Sequence, residues 1–464
     1  MEQSKGRETL ASRLGFILLS AGCAIGLGNV WRFPFITGKH GGAAFVLIYL
    51  VFLVILGLPI MVMEFAVGRA SKQNIGLALK TLEPKKTKWH AYGPIAIGGN
   101  YVLMMFYTTV SGWLLHYFFA MATGRLRGFD ASSVGNYFGT LLADPLKMTF
   151  WMILAVILGM GTCIIGLQKG VERITKVVMT ILFVVMILLV IKSVTLPGAA
   201  EGLRFYLLPD FNRLADSGLW NAIYAAMGQA FFTLSLGIGS MAIFGSYIGK
   251  ERTLTGESVN IIALDTSVAL LSGLIIFPAC FAFGVSPDAG PSLIFITLPN
   301  IFNSMTGGGL WGALFFLFLS FAALSTLIAV FENIVSYWID VKHWSRKKAV
   351  AFNVAAIIIL SMPCVLGFNF LSGFQPLGPG SGVLDLEDFI VSSTLLPLGS
   401  LVFLFFCCSK RGWGWKNFVT EADTGKGLKF PKWTRAYVTY VLPLIVITVF
   451  VMGYWNIFVP LFKA

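Results

Sequence analysis

The 464 residues are 57% hydrophobic and 12% charged, roughly half the charged share of a soluble domain, so the chain lacks the polar groups to coat itself against water. Its net charge of +13 would suit a nucleic-acid binder, but the Lys and Arg residues cluster in alternate loops. That is the positive-inside pattern of a multi-pass membrane protein, with a lipid bilayer and not nucleic acid as its large partner.

Apolar runs of roughly 20 residues, enough helix to cross the hydrocarbon core, recur along the chain. Runs such as 150–161 and 177–190 lack the alternation of a membrane barrel strand, so the fold class is all-α. Residues 1–12 read as a short cytoplasmic segment with no signal-peptide cleavage site. About eleven spans follow, near 13–38, 42–70, 89–124, 147–167, 172–196, 218–248, 257–284, 308–341, 345–367, 384–409 and 434–458. Basic residues gather at 5–13, 69–88, 169–176, 250–252, 342–348 and 410–429. This places the amino terminus in the cytoplasm and, with an odd count, the carboxyl terminus outside the cell (inner) membrane. The loops 197–217, 285–307 and 368–383 are expected on the outer face and are rich in Pro and Gly.

Two spans are interrupted by glycine at matching places. The first carries Gly22, Gly26 and Gly28; the sixth carries Ser235, Gly237 and Gly239. They open two candidate five-helix halves, 13–196 and 218–409, with 434–458 as an accessory helix in a single transmembrane domain. Interrupted segments in matching positions of two halves point to a transporter binding site. Unwinding frees backbone carbonyls for cations and half-helix amino ends for an anion. Gly22 and Gly26 also fit a small-residue packing face, and spacing alone leaves both readings open. Arg32, Glu64, Asp265 and Glu332 fall inside predicted spans, where a charge needs a partner or a task; for Glu64 and Glu332 internal pairing is the expected role. The six cysteines all fall in spans and lack metal-ligand spacing.

The stretch from Arg13 to Pro34, with Gly22, Asn29, Trp31 and Arg32, resembles the first span of the neurotransmitter:sodium symporter family. Gly57, Pro59, Glu64, Gly68 and Arg69 resemble its second span, Gly228 to Ser235 its sixth, and Phe295 to Pro299 the outer loop before its eighth. The resemblance runs from Arg7 to about residue 405. It implies two inverted five-helix repeats with broken helices 1 and 6, an accessory helix, and sodium-driven import by alternating access, as in the bacterial amino-acid branch.

What the resemblance implies for individual residues is specific. A first sodium site would use Ala24, Asn29, Thr233 and Asp265 with the substrate carboxylate; a second would use Gly22, Ile25, Ala322, Ser325 and Thr326. Hydroxyls such as those of Ser325 and Thr326 can also bond back to their own helix. The substrate would meet Ala24, Leu27, Gly28, Tyr107, Thr233, Ser235 and Thr326, with Leu103, Val110, Phe232, Ile238 and Val330 around its side chain. Amine-transporting relatives carry an aspartate where this chain has Gly26, so the resemblance implies a neutral apolar amino acid, branched or aromatic. Asp265 stands where many relatives have asparagine, and Ala269 where chloride-dependent ones have serine; a fixed carboxylate would then replace the chloride charge. Arg32 would pair with Asp388 at the outer gate, and Arg7 with Asp340 near Tyr247 at the inner one. Family members often carry a proline ten residues after the glycine at Gly170; here that residue is Thr180. Na⁺ in two sites, no chloride requirement, and a monomer or weak oligomer complete the expectation. No paired acids, metal box or nucleophile with a base suggests an enzyme, and no repeated filter segment suggests a channel. A proton-coupled amino-acid carrier of related fold is the alternative, separated by dependence on sodium rather than on pH.

Overall fold

The computed structural model describes residues 8–286 and 292–463, with side chains as far as 459. Among them, nine helices are long and apolar enough to cross a membrane: Ala43–Ser71, Trp89–Ala122, Pro145–Ile164, Leu167–Val194, Leu254–Ala282, Gly308–Lys342, Arg346–Leu366, Val383–Cys408 and Lys432–Val459. A further span is a pair, Arg13–Ala24 and Gly28–Lys39, bent by 55°. The region expected to be the sixth span holds two shorter helices, Leu219–Thr233 and Ser240–Tyr247. Taking each pair as one broken crossing gives spans 1 to 11 in chain order, at nearly the expected boundaries. The loops are more regular than their Pro and Gly content suggested. Ala131–Ala143, Ala199–Leu207, Phe211–Asp216, Leu293–Ser304 and Trp415–Ala422 are helical. Two of them begin at aspartate caps: Asp130 accepts the Ser133 N–H at 2.8 Å, and Asp210 accepts the Asn212 N–H at 3.0 Å.

Local chemistry explains both breaks. In span 1 the helix stops at Ile25, whose backbone is extended, and the Asn29 side chain accepts the Gly26 N–H at 3.0 Å, capping the second half. In span 6, Ser235, Gly237 and Gly239 adopt φ of +50°, +102° and +74°, a left-handed region that glycine enters without a Cβ penalty. The freed amides of the second half are taken by Glu64 of span 2, which accepts from Gly237 N–H and, at 3.3 Å, from Met241 N–H. A carboxylate there complements the positive end of the helix dipole, so Glu64 is internally partnered, as expected.

The breaks face each other: Ser235 donates to the Cys23 carbonyl at 3.4 Å, and Gln229 to the Gly28 carbonyl at 2.8 Å. Gly22 also lets span 1 lie close to its neighbours, since a Cβ would stand 3.2 Å from Ser325 Cβ and 3.3 Å from Thr175 Cγ2. Packing and unwinding are both served by this glycine row. Tighter still is Gly68 in span 2, where an added Cβ would come 2.6 Å from the carbonyl carbon and 2.9 Å from the Cα of Ala242. Backbone cannot rotate out of the way. Gly68→Ala is therefore expected to reach or exceed the upper end of the usual overpacking cost of about 1–3 kcal/mol, read as a lower midpoint in thermal unfolding of the purified protein.

Candidate functional site

Where the two breaks meet, a small cavity of about 20 Å³ lies between spans 1, 3, 6, 8 and 10. Its wall contains nine of the twelve residues expected to touch substrate: Ala24, Leu27, Gly28, Leu103, Tyr107, Phe232, Ser235, Ile238 and Thr326. Cys23, Gly26, Val391 and Leu396 complete it. The lining is apolar apart from a few polar groups at one side, the pattern of a small-molecule site. The Leu27 N–H donates to the Tyr107 hydroxyl at 3.2 Å, marking the polar side. Gly26 belongs there because a Cβ would press on both Tyr107 Oη and Thr326 Oγ1.

Three expected lining residues are placed elsewhere. Val110 and Val330 are buried but do not line the cavity. Each stands one turn beyond a lining residue, Tyr107 and Thr326, and the cavity reaches only the first member of each row. Their place is taken by Val391 and Leu396, presented by span 10 at a widened π-helical segment, Ile390–Leu395. Thr233 points away from the cavity into a polar cluster.

That cluster joins Thr233, Asn29 and Asp265, all fully buried. Asn29 Nδ2 donates to Asp265 Oδ1 at 2.8 Å and to the Asp265 carbonyl at 3.0 Å; Thr233 Oγ1 donates to Asp265 Oδ2 at 3.1 Å. Nearby, Ser272 donates to the Asn29 carbonyl at 2.7 Å. A second cluster lies between spans 1 and 8. Thr326 Oγ1 is 3.0 Å from the Ile25 carbonyl, 3.4 Å from that of Gly22 and 3.5 Å from that of Ala322. Ser325 Oγ is 2.8 Å from the Ala322 carbonyl and 3.3 Å from that of Ile25. Both hydroxyls thus bond back to their own helix and also reach across to the unwound one. Two hydroxyls and three carbonyls thus converge there, five hard oxygens of the kind that could serve a hard cation. Neither cluster depends on His or Cys, as a site for a hard ion requires.

A sequence profile described as the Sodium:neurotransmitter symporter family matches residues 7–134 and 138–462. The chain belongs to that family. An uncharacterized sodium-dependent transporter of Bacillus subtilis is 36% identical over 85% of this chain and 86% of its own length. The sodium-dependent serotonin transporter of Drosophila melanogaster is 29% identical over 97% of this chain and 77% of its own. Among solved structures, that of MhsT in complex with L-phenylalanine superimposes with a TM-score of 0.86 at 38% identity, covering 97% of this chain and all of that one. The protein is thus a multi-pass, sodium-coupled transporter of a small molecule, and not an enzyme.

The gate residues of this symporter are less simply arranged than the resemblance implied. Arg32 and Asp388 form no direct ion pair: the Arg32 guanidinium lies 4.5 Å over the ring of Phe232, a cation–π contact, while Asp388 accepts the Ser392 hydroxyl at 2.6 Å. Phe232 therefore both walls the cavity and carries the arginine on its ring. Arg7 lies outside the described residues. Asp340 accepts the Asn74 N–H at 3.0 Å. Tyr247 donates to Glu332 at 2.9 Å.

Glu332 itself is the hub at this end. Arg346 grips both of its oxygens, at 2.7 and 3.1 Å, and also reaches Glu8 at 2.7 Å and the Cys163 carbonyl at 3.2 Å. Glu172 of span 5 forms a second knot, accepting from the Ala11 N–H at 2.7 Å, Ser12 at 2.9 Å and Lys176 at 2.6 Å. Together these bonds pin the start of span 1. Span 5 continues unbroken through Thr180, whose hydroxyl donates to the Lys176 carbonyl at 2.8 Å. Arg346 and Glu172 read in the sequence as ordinary members of basic loops; only a search for a cation opposite each buried acid would have singled them out.

Proposed function

We propose that this symporter imports neutral apolar L-amino acids, aromatic and branched, with two sodium ions and without a chloride requirement. The observation that carries the reading is the apolar cavity flanked by two oxygen clusters, with the Tyr107 hydroxyl and Leu27 amide at its polar side. The substrate carboxylate would sit at Tyr107, Leu27 and Gly28, close to a sodium held by Ala24, Asn29, Thr233 and Asp265. Its side chain would lie among Leu103, Phe232, Ile238, Val391 and Leu396. The second sodium would rest among Gly22, Ile25, Ala322, Ser325 and Thr326 and hold the unwound part of span 1 against span 8. Gly26 offers no carboxylate for an amine without its own acid group, which supports an amino acid over a biogenic amine. The phenylalanine bound to MhsT is in keeping with this class.

The orientation we adopt puts the amino terminus in the cytoplasm and the carboxyl terminus outside the cell membrane, following the basic loops. Repeats at 13–196 and 218–409, with 434–458 as accessory helix, then move against each other around the cavity. The Arg346–Glu332 and Glu172 knots close the inner end, and Arg32 with Phe232 closes the outer one.

Proteoliposomes with an inward sodium gradient should accumulate labelled phenylalanine and leucine, compete them with other apolar amino acids, and do so equally in chloride and gluconate. Accumulation driven equally well by a pH gradient in potassium would overturn sodium coupling. Within the same assay, Ser325→Ala combined with Thr326→Ala should raise the sodium concentration for half-maximal uptake by at least about tenfold, since two hard ligands are lost. An unchanged sodium curve would remove the second site.

A further inference from the structure

The outer end of span 10 begins with a short helix, Val383–Phe389, that carries three carboxylates. Two are satisfied. Asp385 accepts the Gly382 N–H at 2.7 Å, and Asp388 accepts the Ser392 hydroxyl at 2.6 Å. The third, Glu387, points inward and is 4% exposed. Among the described residues its oxygens meet only a thiol, that of Cys364, and no N–H, hydroxyl or cation lies within hydrogen-bond or ion-pair distance.

The elements packed around it offer little to stabilise a negative charge. From span 9 comes the Cys364 thiol, a weak donor, which lies beside the carboxyl. From span 3 comes Thr109, whose hydroxyl donates to the Met105 carbonyl at 3.3 Å. Span 11 contributes Tyr454, its ring packed on Phe389 and its hydroxyl 2.9 Å from that of Thr394. Asp385 and Asp388 on the same helix would repel an ionised neighbour, and Arg32 is engaged over Phe232. An isolated ionised carboxylate buried in such surroundings is strongly disfavoured, whereas a carboxylic acid is tolerated.

We propose that Glu387 is a proton-binding site coupled to the outer gate. It takes up one proton from the outer solution when the start of span 10 packs against spans 3 and 9, and returns it when that helix lifts and Glu387 meets water. The helix is placed to move with the gate. It carries the gate residue Asp388 and leads directly into the widened segment Ile390–Leu395, a form found frequently at functional sites, which we take as its hinge. The residue after that hinge, Leu396, walls the cavity together with Val391 inside it. Whatever closes the wall over the substrate also seats Glu387. This inference rests on the orientation and amino-acid reading above.

Linkage fixes the sign. If the closed state holds one more proton than the open state, substrate affinity falls as pH rises, with a limiting slope of about one decade per pH unit. Purified protein in nanodiscs, weakly buffered near neutral pH, should take up close to one proton per transporter when phenylalanine is added in sodium. Glu387→Gln, which keeps the side chain's volume, should still bind phenylalanine but take up no proton and give a flat affinity between pH 6 and 9. Infrared difference spectra should show a protonated-carboxyl band that appears when phenylalanine is added near neutral pH, appears without substrate on acidification, and is missing in Glu387→Gln. The inference is overturned if the variant keeps the band, the proton uptake and the pH slope, which would assign them to another carboxyl such as Asp265. It is overturned equally if the wild type binds phenylalanine without proton uptake at any of these pH values. The acid-induced band needs no substrate. A protein with the Glu387 band but no phenylalanine binding would sink the amino-acid reading alone, and a missing band would sink this inference alone.

Discussion

Replacing Asp265 by asparagine is expected to weaken sodium activation of uptake roughly ten- to a hundredfold and to make uptake respond to chloride. The substitution preserves shape. Asn29 Nδ2, now 2.8 Å from Asp265 Oδ1, could still donate to an asparagine oxygen, and Thr233 could accept from the new amide. What is lost is a full negative charge in a site with no exposure to water. A hydrogen-bonded contact to a charged group contributes about 1.5–3 kcal/mol, or one to two decades in affinity. One group that could donate to an anion stands close by: the Tyr49 hydroxyl, fully buried beside Thr233 and Asp265. Ala269, a turn beyond Asp265, is fully buried and offers no hydroxyl to an anion. Sodium titrations of uptake in chloride and in gluconate measure both effects. A variant with the wild-type sodium curve and no chloride response would show that Asp265 does not carry the charge of the first sodium site.

The parts of this arrangement legible in the sequence were those marked by a local contradiction. Glycines in the middle of an apolar run, at Gly22–Gly28 and Gly237–Gly239, have no reason to be there unless the helix yields, and both breaks formed within a residue or two of those glycines. Asp265 inside a span demanded a partner, and Asn29 and Thr233 provide it. Val391 and Leu396 gave no such signal, because an apolar residue facing a cavity looks the same as one facing lipid; the widened turn that aims them is a property of the packed helix. Val110 and Val330 lie one turn beyond lining residues, and helical periodicity gives a face but not how far along that face a cavity extends. The direct Arg32–Asp388 pair was expected from resemblance alone, and in this conformation Arg32 finds the π-face of Phe232 instead. Short helices in the loops, such as Ala131–Ala143, were obscured by composition, although Asp130 at the cap was a readable start signal.

Arg346→Ala is expected to be the most damaging single change at the inner end, and its partner's neutralisation should repair part of the harm. Arg346 is mostly buried at 16% exposure and Glu332 entirely so. Their two-point contact joins span 9 to span 8, while the remaining guanidinium donors hold Glu8 of the N-terminal segment and the Cys163 carbonyl of span 4. Removing the arginine leaves Glu332 with only the Tyr247 hydroxyl among the described residues, and stranding one member of a buried pair costs about 3–5 kcal/mol. The protein can escape that cost by letting water reach Glu332, which means loosening spans 1, 6 and 8 where they converge. A shift of about 3 kcal/mol changes the ratio of closed to open states by more than a hundredfold. Uptake should therefore fall by one to two orders of magnitude, and the sodium and substrate needed to hold the closed state should rise. Glu332→Gln alone should be milder, because it leaves the arginine in reach of Glu8 and water. Arg346→Ala combined with Glu332→Gln should recover a measurable share of the lost uptake and thermal stability, because the stranded charge is gone. If the double variant is as impaired as the sum of the two single ones, the pair is not acting as a unit, and the inner closure must rest on the Glu172 knot and the contacts of Asp340 instead.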